Sequence, residues 1–167
     1  MTPLLRALLL LAGSGGPAAR LWNAFEREGL PPEAFWTEGE PLWSRLGCSD
    51  TVRRALRNLV SSSWPEEEEE RAKQGGVRLL TFRDREWPDG LAEQSDCPRL
   101  LYVRGNWPIV GPPVAVVGTR RCSTYGRSTA FEIGRAVGES GGVVLSGGAA
   151  GIDKAAHEGC LSVAGAS

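Results

Sequence analysis

Histidine occurs once in the 167 residues, and the four cysteines, Cys48, Cys97, Cys122 and Cys160, stand far apart with no C-x-x-C pair. Neither a zinc site nor a disulfide framework has its ligands, so no metal is expected and the thiols read as reduced ones of a cytoplasmic protein. Long apolar runs are missing as well. No segment approaches the ~18 apolar residues of a membrane span, so no membrane partner is expected. Charge of one sign is also missing: 19 basic against 20 acidic residues give a net charge of −1 and no global basic field. Any nucleic-acid site must be local. Neither G-x-G-x-x-G nor G-K-[ST] occurs in the glycine-rich turns, so a dinucleotide dehydrogenase and a P-loop enzyme are both unsupported, and no cofactor is expected.

What is present suffices for one or two globular domains with a real core, at 41% apolar and 23% charged residues. The opening "MTPLLRALLLLAGSGGPAAR" has the charged start, apolar stretch and small residues of a signal peptide. Its apolar stretch is short, however, and Leu21, Trp22 and Phe25 continue at helical spacing, which favours a folded helical start. Leu4, Leu5, Leu8 and Leu9 make one stripe, "GSGGP" breaks it, and "AARLWNAFEREG" forms a second helix ended by Gly29. Residues 33–46 predict a further helix, and Ser49-Asp50 a cap for "TVRRALRNLVSS". The Gly13–Gly15 turn has the outline of a helix-hairpin-helix, whose backbone N–H groups can hold a DNA phosphate, but Ser14 stands where that motif places an aliphatic residue. A tight αα turn is the simpler reading. "EEEEERAKQGG" predicts a solvated helix with acids at its N-terminal end and a stop at Gly75-Gly76, and "VRLLTF" and "RLLYVRG" are strand candidates.

From Val114 the rhythm changes. "VAVVG" and "VVLSGG" read as buried strands, each followed by a helical segment, the first with Ala130, Ile133, Ala136 and Val137 on one face. Strand, helix, strand, helix with short glycine-containing joints predicts a parallel α/β unit. Its two turns, "GTRR" and "SGGAAGID", fall at the carboxyl ends of their strands, where open α/β sheets bind ligands. Residues 97–167 carry seven basic and four acidic groups, so the positive excess lies here. Arginine's planar fork suits phosphate oxygens, and Arg120, Arg121, Arg127 and Lys154 are near enough in sequence to act together.

"VAVVGTRRCSTYGRSTAFEIGRAV" followed by "VVLSGGAAGIDKAAHEGCL" resembles the core signature of the DNA-processing protein family, DprA or Smf, with V-G-[ST]-R, then Y-G, then S-G-x-A-R-G-I-D-x-x-A-H. Upstream, "WPDGLAEQSDCPRLLYVRGN" is similar to the family's Y-P-x-x-L and P-x-x-L-[FY]-x-[RK]-G segments. The resemblance covers essentially the whole chain. The fold class it implies is α/β: a small all-helical N-terminal domain of SAM-like or helix-hairpin-helix type over 1–63, then a linker helix and an extension of the sheet over 64–110. The N-terminal part of a Rossmann-like parallel-sheet domain follows over 111–167. The function it implies is single-stranded DNA binding without sequence preference during natural transformation, with protection of the incoming strand, loading of the RecA recombinase and a homodimer in the full-length family.

The matched positions are Gly118, Thr119, Arg120, Tyr125, Gly126, Ser146, Gly147, Ala149, Gly151, Ile152, Asp153 and His157. The expected phosphate-binding set is Gly118, Thr119, Arg120, Arg121, Arg127, Ser146, Gly147, Gly148, Gly151 and Lys154. Asp153 is expected to cap its helix or orient Arg120, and His157 to pack. Two positions depart from the family: Ala150 stands in place of an arginine and Trp87 in place of a tyrosine. The family continues through more of the sheet, so the chain reads as truncated within that domain, and so small a sheet should leave apolar surface exposed. No nucleophile, base and orienter come together, so no enzymatic activity is expected. The alternatives are a nucleotide-binding hydrolase of the lysine-decarboxylase-like kind, whose P-G-G-x-G-T-x-x-E turn is absent, and a helical interaction module that binds no DNA.

Overall fold

The leucine-rich start and the amphipathic run after it fold as α1 (Pro3–Gly13) and α2 (Ala18–Arg27) in the computed structural model, which describes residues 1–94, 96–163 and 165. The chain divides into two compact units, Met1–Trp107 and Pro108–Ser167. Thr2 starts α1 by accepting a hydrogen bond from Leu5 N on its hydroxyl (3.2 Å), and Pro3 occupies the first turn, where an N–H has no helical partner anyway. The leucine stripe is wider than expected. Leu10 and Leu11 are as fully buried as Leu9, because α1 is packed by α2 and by two later helices of the same unit.

The single helix expected over 33–46 is two: α3 (Ala34–Thr37) and α4 (Glu40–Arg45). Gly39, at φ +62°, sits in the left-handed region between them, and Pro41 starts the new helix. α5 (Asp50–Val60) is capped by Ser49, whose hydroxyl accepts from Val52 N at 3.4 Å. α6 (Trp64–Gln74) begins before the glutamate run, with Pro65 in its first turn, and ends at Gly75 as expected. An aromatic chain forms the centre of this core: Trp22 to Phe25 at 5.1 Å, Phe25 to Phe35 at 5.7 Å and Phe35 to Trp43 at 6.3 Å between ring centroids. The Gly13–Gly15 turn is closed by Ser14, which is buried, donates to Leu11 O (2.7 Å) and accepts from Gly16 N (3.3 Å). That serine satisfies a backbone donor which a phosphate in a helix-hairpin-helix would need.

β1 (Val77–Thr81) and β2 (Leu100–Arg104) pair antiparallel, from Val77 opposite Arg104 to Thr81 opposite Leu100, and the short α7 (Asp89–Ala92) lies between them in sequence. Among the described residues they form a two-stranded sheet of their own. Pro108 and Pro112 follow β2 and lack the N–H groups that a continued ladder requires.

In the second unit β3 (Pro113–Ala115) and β4 (Val143–Leu145) pair in parallel, with Val114 opposite Val144, and α8 (Thr124–Glu139) and α9 (Ile152–Leu161) follow them. The mixed α/β class with a parallel sheet is as expected. α8 starts at Thr124 because the Ser123 hydroxyl accepts from Gly126 N at 3.1 Å and caps its first turn. The buried face of α8 also differs: Ala130 and Gly134 are buried, while Ile133 and Ala136 are exposed. Close approach decides this. A Cβ on Gly134 would overlap the Ala156 carbonyl, and one on Gly159 would overlap the Phe131 carbonyl, so α8 and α9 touch backbone to backbone. Val144, Ala156 and Cys160 form the core beneath, and Val114, Val117 and Leu145 remain exposed, as expected of so small a sheet.

Helical glycine normally costs about 0.5–1 kcal/mol relative to alanine. Gly134→Ala and Gly159→Ala should nevertheless each destabilise the second unit, by about 1–3 kcal/mol, since the opposing atoms are backbone and cannot repack. Thermal unfolding of the two variants checks the sign.

Candidate nucleic-acid interface

The two turns predicted to act together lie against each other. A Cβ on Gly118 would stand 2.6 Å from Ile152 Cγ1, and one on Gly151 would stand 2.7 Å from the Arg120 carbonyl, so only hydrogen at both positions permits the contact. Gly151 has φ +96°, which independently favours glycine. Ile152 N then donates to the Thr119 carbonyl (3.3 Å), and Gly118 N donates to Asp153 Oδ1 (3.1 Å). At the strand ends, Val116 N donates to Leu145 O (3.0 Å) and the Ser146 hydroxyl donates back to Val116 O (2.6 Å). Six hydrogen-bonding and packing contacts therefore join residues 116–120 to 145–153.

These contacts redistribute the roles expected from sequence. Asp153 is buried in the first turn of α9 and holds the Gly118 N–H rather than the Arg120 guanidinium, so Gly118 supplies close approach and not a free donor. The Ser146 hydroxyl proton is likewise committed to the strand pair. Thr119 Oγ1 accepts from Arg121 N (3.2 Å), which shapes the turn and leaves the hydroxyl proton available. Gly147 is exposed, and a Cβ there would lie 3.1 Å from Asp153 Oδ2; Gly148 is exposed at φ +68°. His157 is half-buried on α9, and Ala150 is exposed.

Arg120, Arg121 and Arg127 are all exposed, and among the described residues none of the three makes an ion pair. The other cations of the unit are engaged. Arg135 bridges Glu132 (2.9 Å) and Glu139, and these hydrogen bonds hold its guanidinium still more firmly charged. Lys154 lies 3.5 Å from Glu158, so its charge is partly neutralised. Sequence reasoning missed the part played by Ile152, the side chain that fits under Gly118. It also missed the Asp153 bond, which spans 35 positions and leaves no local signal.

A parallel strand-helix-strand-helix unit, with two strand-end turns meeting through glycine beside exposed, unpaired arginines, defines a Rossmann-like α/β protein with a cationic edge. The family profile described as DNA recombination-mediator protein A matches residues 78–167. A Mycobacterium tuberculosis relative, named for DprA DNA processing, is 32% identical over 89% of this chain and 44% of its own length. The Bacillus subtilis DNA processing protein DprA is 25% identical over 78% of this chain and 48% of its own. The X-ray structure of DNA processing protein A from Streptococcus pneumoniae superposes with a TM-score of 0.73 at 25% identity, over 99% of this chain and 56% of that one. The chain belongs to the DNA recombination-mediator protein A family, and it spans less than half the length of these two curated relatives.

Removing the Asp153 carboxylate should leave the Gly118 N–H without its acceptor. Asp153→Ala should lower stability by about 1–3 kcal/mol, with a smaller loss for Asp153→Asn, which retains an acceptor oxygen. Arg120→Ala, by contrast, should leave the melting temperature within a degree or so of wild type, as expected of a surface change without a partner. Thermal unfolding of all three compares a holding role with a free one.

Proposed function

We propose that this chain binds the phosphodiester backbone of single-stranded DNA along the edge formed by residues 118–121, the start of α8 and the 146–151 turn. The observation that carries this reading is the set of three arginines, Arg120, Arg121 and Arg127, left without carboxylate partners beside the apposed glycine turns. Guanidinium groups and the exposed Gly147–Gly148 backbone face a polyanion without reading bases, which gives sequence-tolerant, salt-dependent binding. The names of the relatives support a role in DNA processing, and the matched family's description supports recombination mediation. In the full-length protein this edge serves DNA uptake in natural transformation, where the bound strand is protected and handed to the RecA recombinase, by a cytoplasmic homodimer that acts through binding and not catalysis.

Titration of a fluorescent unstructured oligonucleotide with the 167-residue chain tests the proposal. Log affinity should fall linearly with log salt, with a slope of about −2 for three arginine contacts, and Arg120→Ala should reduce its magnitude by about 0.7. Binding indifferent to salt overturns the phosphate edge. Because Ala150 is exposed, Ala150→Arg should be accommodated and should restore the missing cation, raising affinity by about 1.5 kcal/mol. Unchanged affinity in that variant would place the DNA path away from the second turn.

A further inference from the structure

Residues 108–167 contain two aromatic side chains, and they are treated oppositely. Phe131 is half-buried on α8, over the Gly159 contact. Tyr125 is 80% exposed in the first turn of the same helix. We propose that Tyr125 is a stacking platform for one nucleobase beside the phosphate edge, an inference that rests on the single-stranded DNA reading above and adds base contact to it.

Placement carries the proposal. The residue after Tyr125 is Gly126, and a Cβ there would lie 3.4 Å from Ile152 Cδ1, the side chain that also fills the space at Gly118. One isoleucine thus holds the first turn of α8 against both strand-end turns, and the ring stands on a fixed base. Ile152, not Tyr125, fills the gap beneath, so the ring contributes little to the core. Arg120 and Arg121 precede it in the chain and Arg127 follows it, all three exposed and unpaired.

The side-chain carboxylates among the described residues of the unit are all engaged. Glu132 and Glu139 pair with Arg135, Glu158 with Lys154, and Asp153 accepts from Gly118 N. Among the described residues of the unit, then, no carboxylate is left without a partner to oppose a phosphate. An exposed aromatic ring among free guanidinium groups fits a single strand, whose unpaired bases each offer a π face and whose phosphates lie within a nucleotide of it. Duplex DNA fits worse, because its bases are already stacked.

Anisotropy titrations of the 167-residue chain, against an oligothymidylate and an abasic oligonucleotide of equal length over a salt series, separate base from backbone contact. Tyr125→Ala should weaken oligothymidylate binding roughly tenfold, keep the salt slope and leave abasic binding unchanged. Tyr125→Phe, which keeps the ring, should restore the oligothymidylate affinity. Arg120→Ala should instead weaken both ligands and flatten the slope by about 0.7. Wild-type affinity in Tyr125→Ala, or equal losses on both ligands, overturns the stacking role while leaving the phosphate reading in place. A wild-type chain that binds neither ligand overturns both.

Discussion

Backbone-to-backbone contact through glycine is the constraint on which the second unit depends. Gly134 and Gly159 bring α8 against α9, and Gly118 and Gly151 bring the two strand-end turns together. At each of these positions a methyl group would meet a carbonyl or the half-buried Ile152 in the first turn of α9, and a carbonyl cannot move without moving a helix or a strand. A two-stranded sheet has little core of its own, so close approach compensates by increasing the dispersion contacts that each residue makes. The same apposition sets where the arginines emerge, because Arg120 and Arg121 sit on the turn that Gly151 packs against.

Charge partition follows from this geometry. Surface ion pairs of the Arg135 and Lys154 kind contribute little to stability, but they match Glu132, Glu139 and Glu158 with cations other than the three arginines. Asp153 is taken out differently, buried under the Gly118 amide. What remains is a cluster of like charges with no counter-charge, an arrangement that self-repulsion disfavours slightly in the free protein and that a polyanion relieves. The excess of basic residues over 97–167 is modest in the sequence, and pairing converts it into a local one.

The first unit is organised on a different principle. Its centre is a chain of aromatic rings and a helix, α1, buried on nearly all sides, with the Trp43 indole N–H donating to the Phe35 carbonyl (2.7 Å) to satisfy the one polar atom that this ring brings inside. Large side chains fill this core, whereas small ones define the second unit. The Ser14 turn that joins α1 to α2 turns its donors inward, which suits a packing role for those helices.

Much of this was legible along the chain, because it depends on near neighbours. Periodicity and caps determine the helices, from Ser49 at α5 to the stop at Gly75, and the glycine-rich turns after two apolar runs mark the strand ends. The motif order also pointed to the family. Tertiary structure decided the rest. That Ile133 faces solvent while Gly134 is buried follows from how closely α9 approaches, which the spacing of apolar residues on α8 does not encode. That β1 and β2 pair antiparallel depends on partners 19 to 27 residues apart. That Asp153 binds the Gly118 amide, and that three arginines of the seven basic residues in 97–167 stay unpaired at this edge, depends on which groups the fold brings within hydrogen-bonding distance. A sequence specifies such contacts only through the whole fold, since each joins atoms that chain connectivity leaves free to separate.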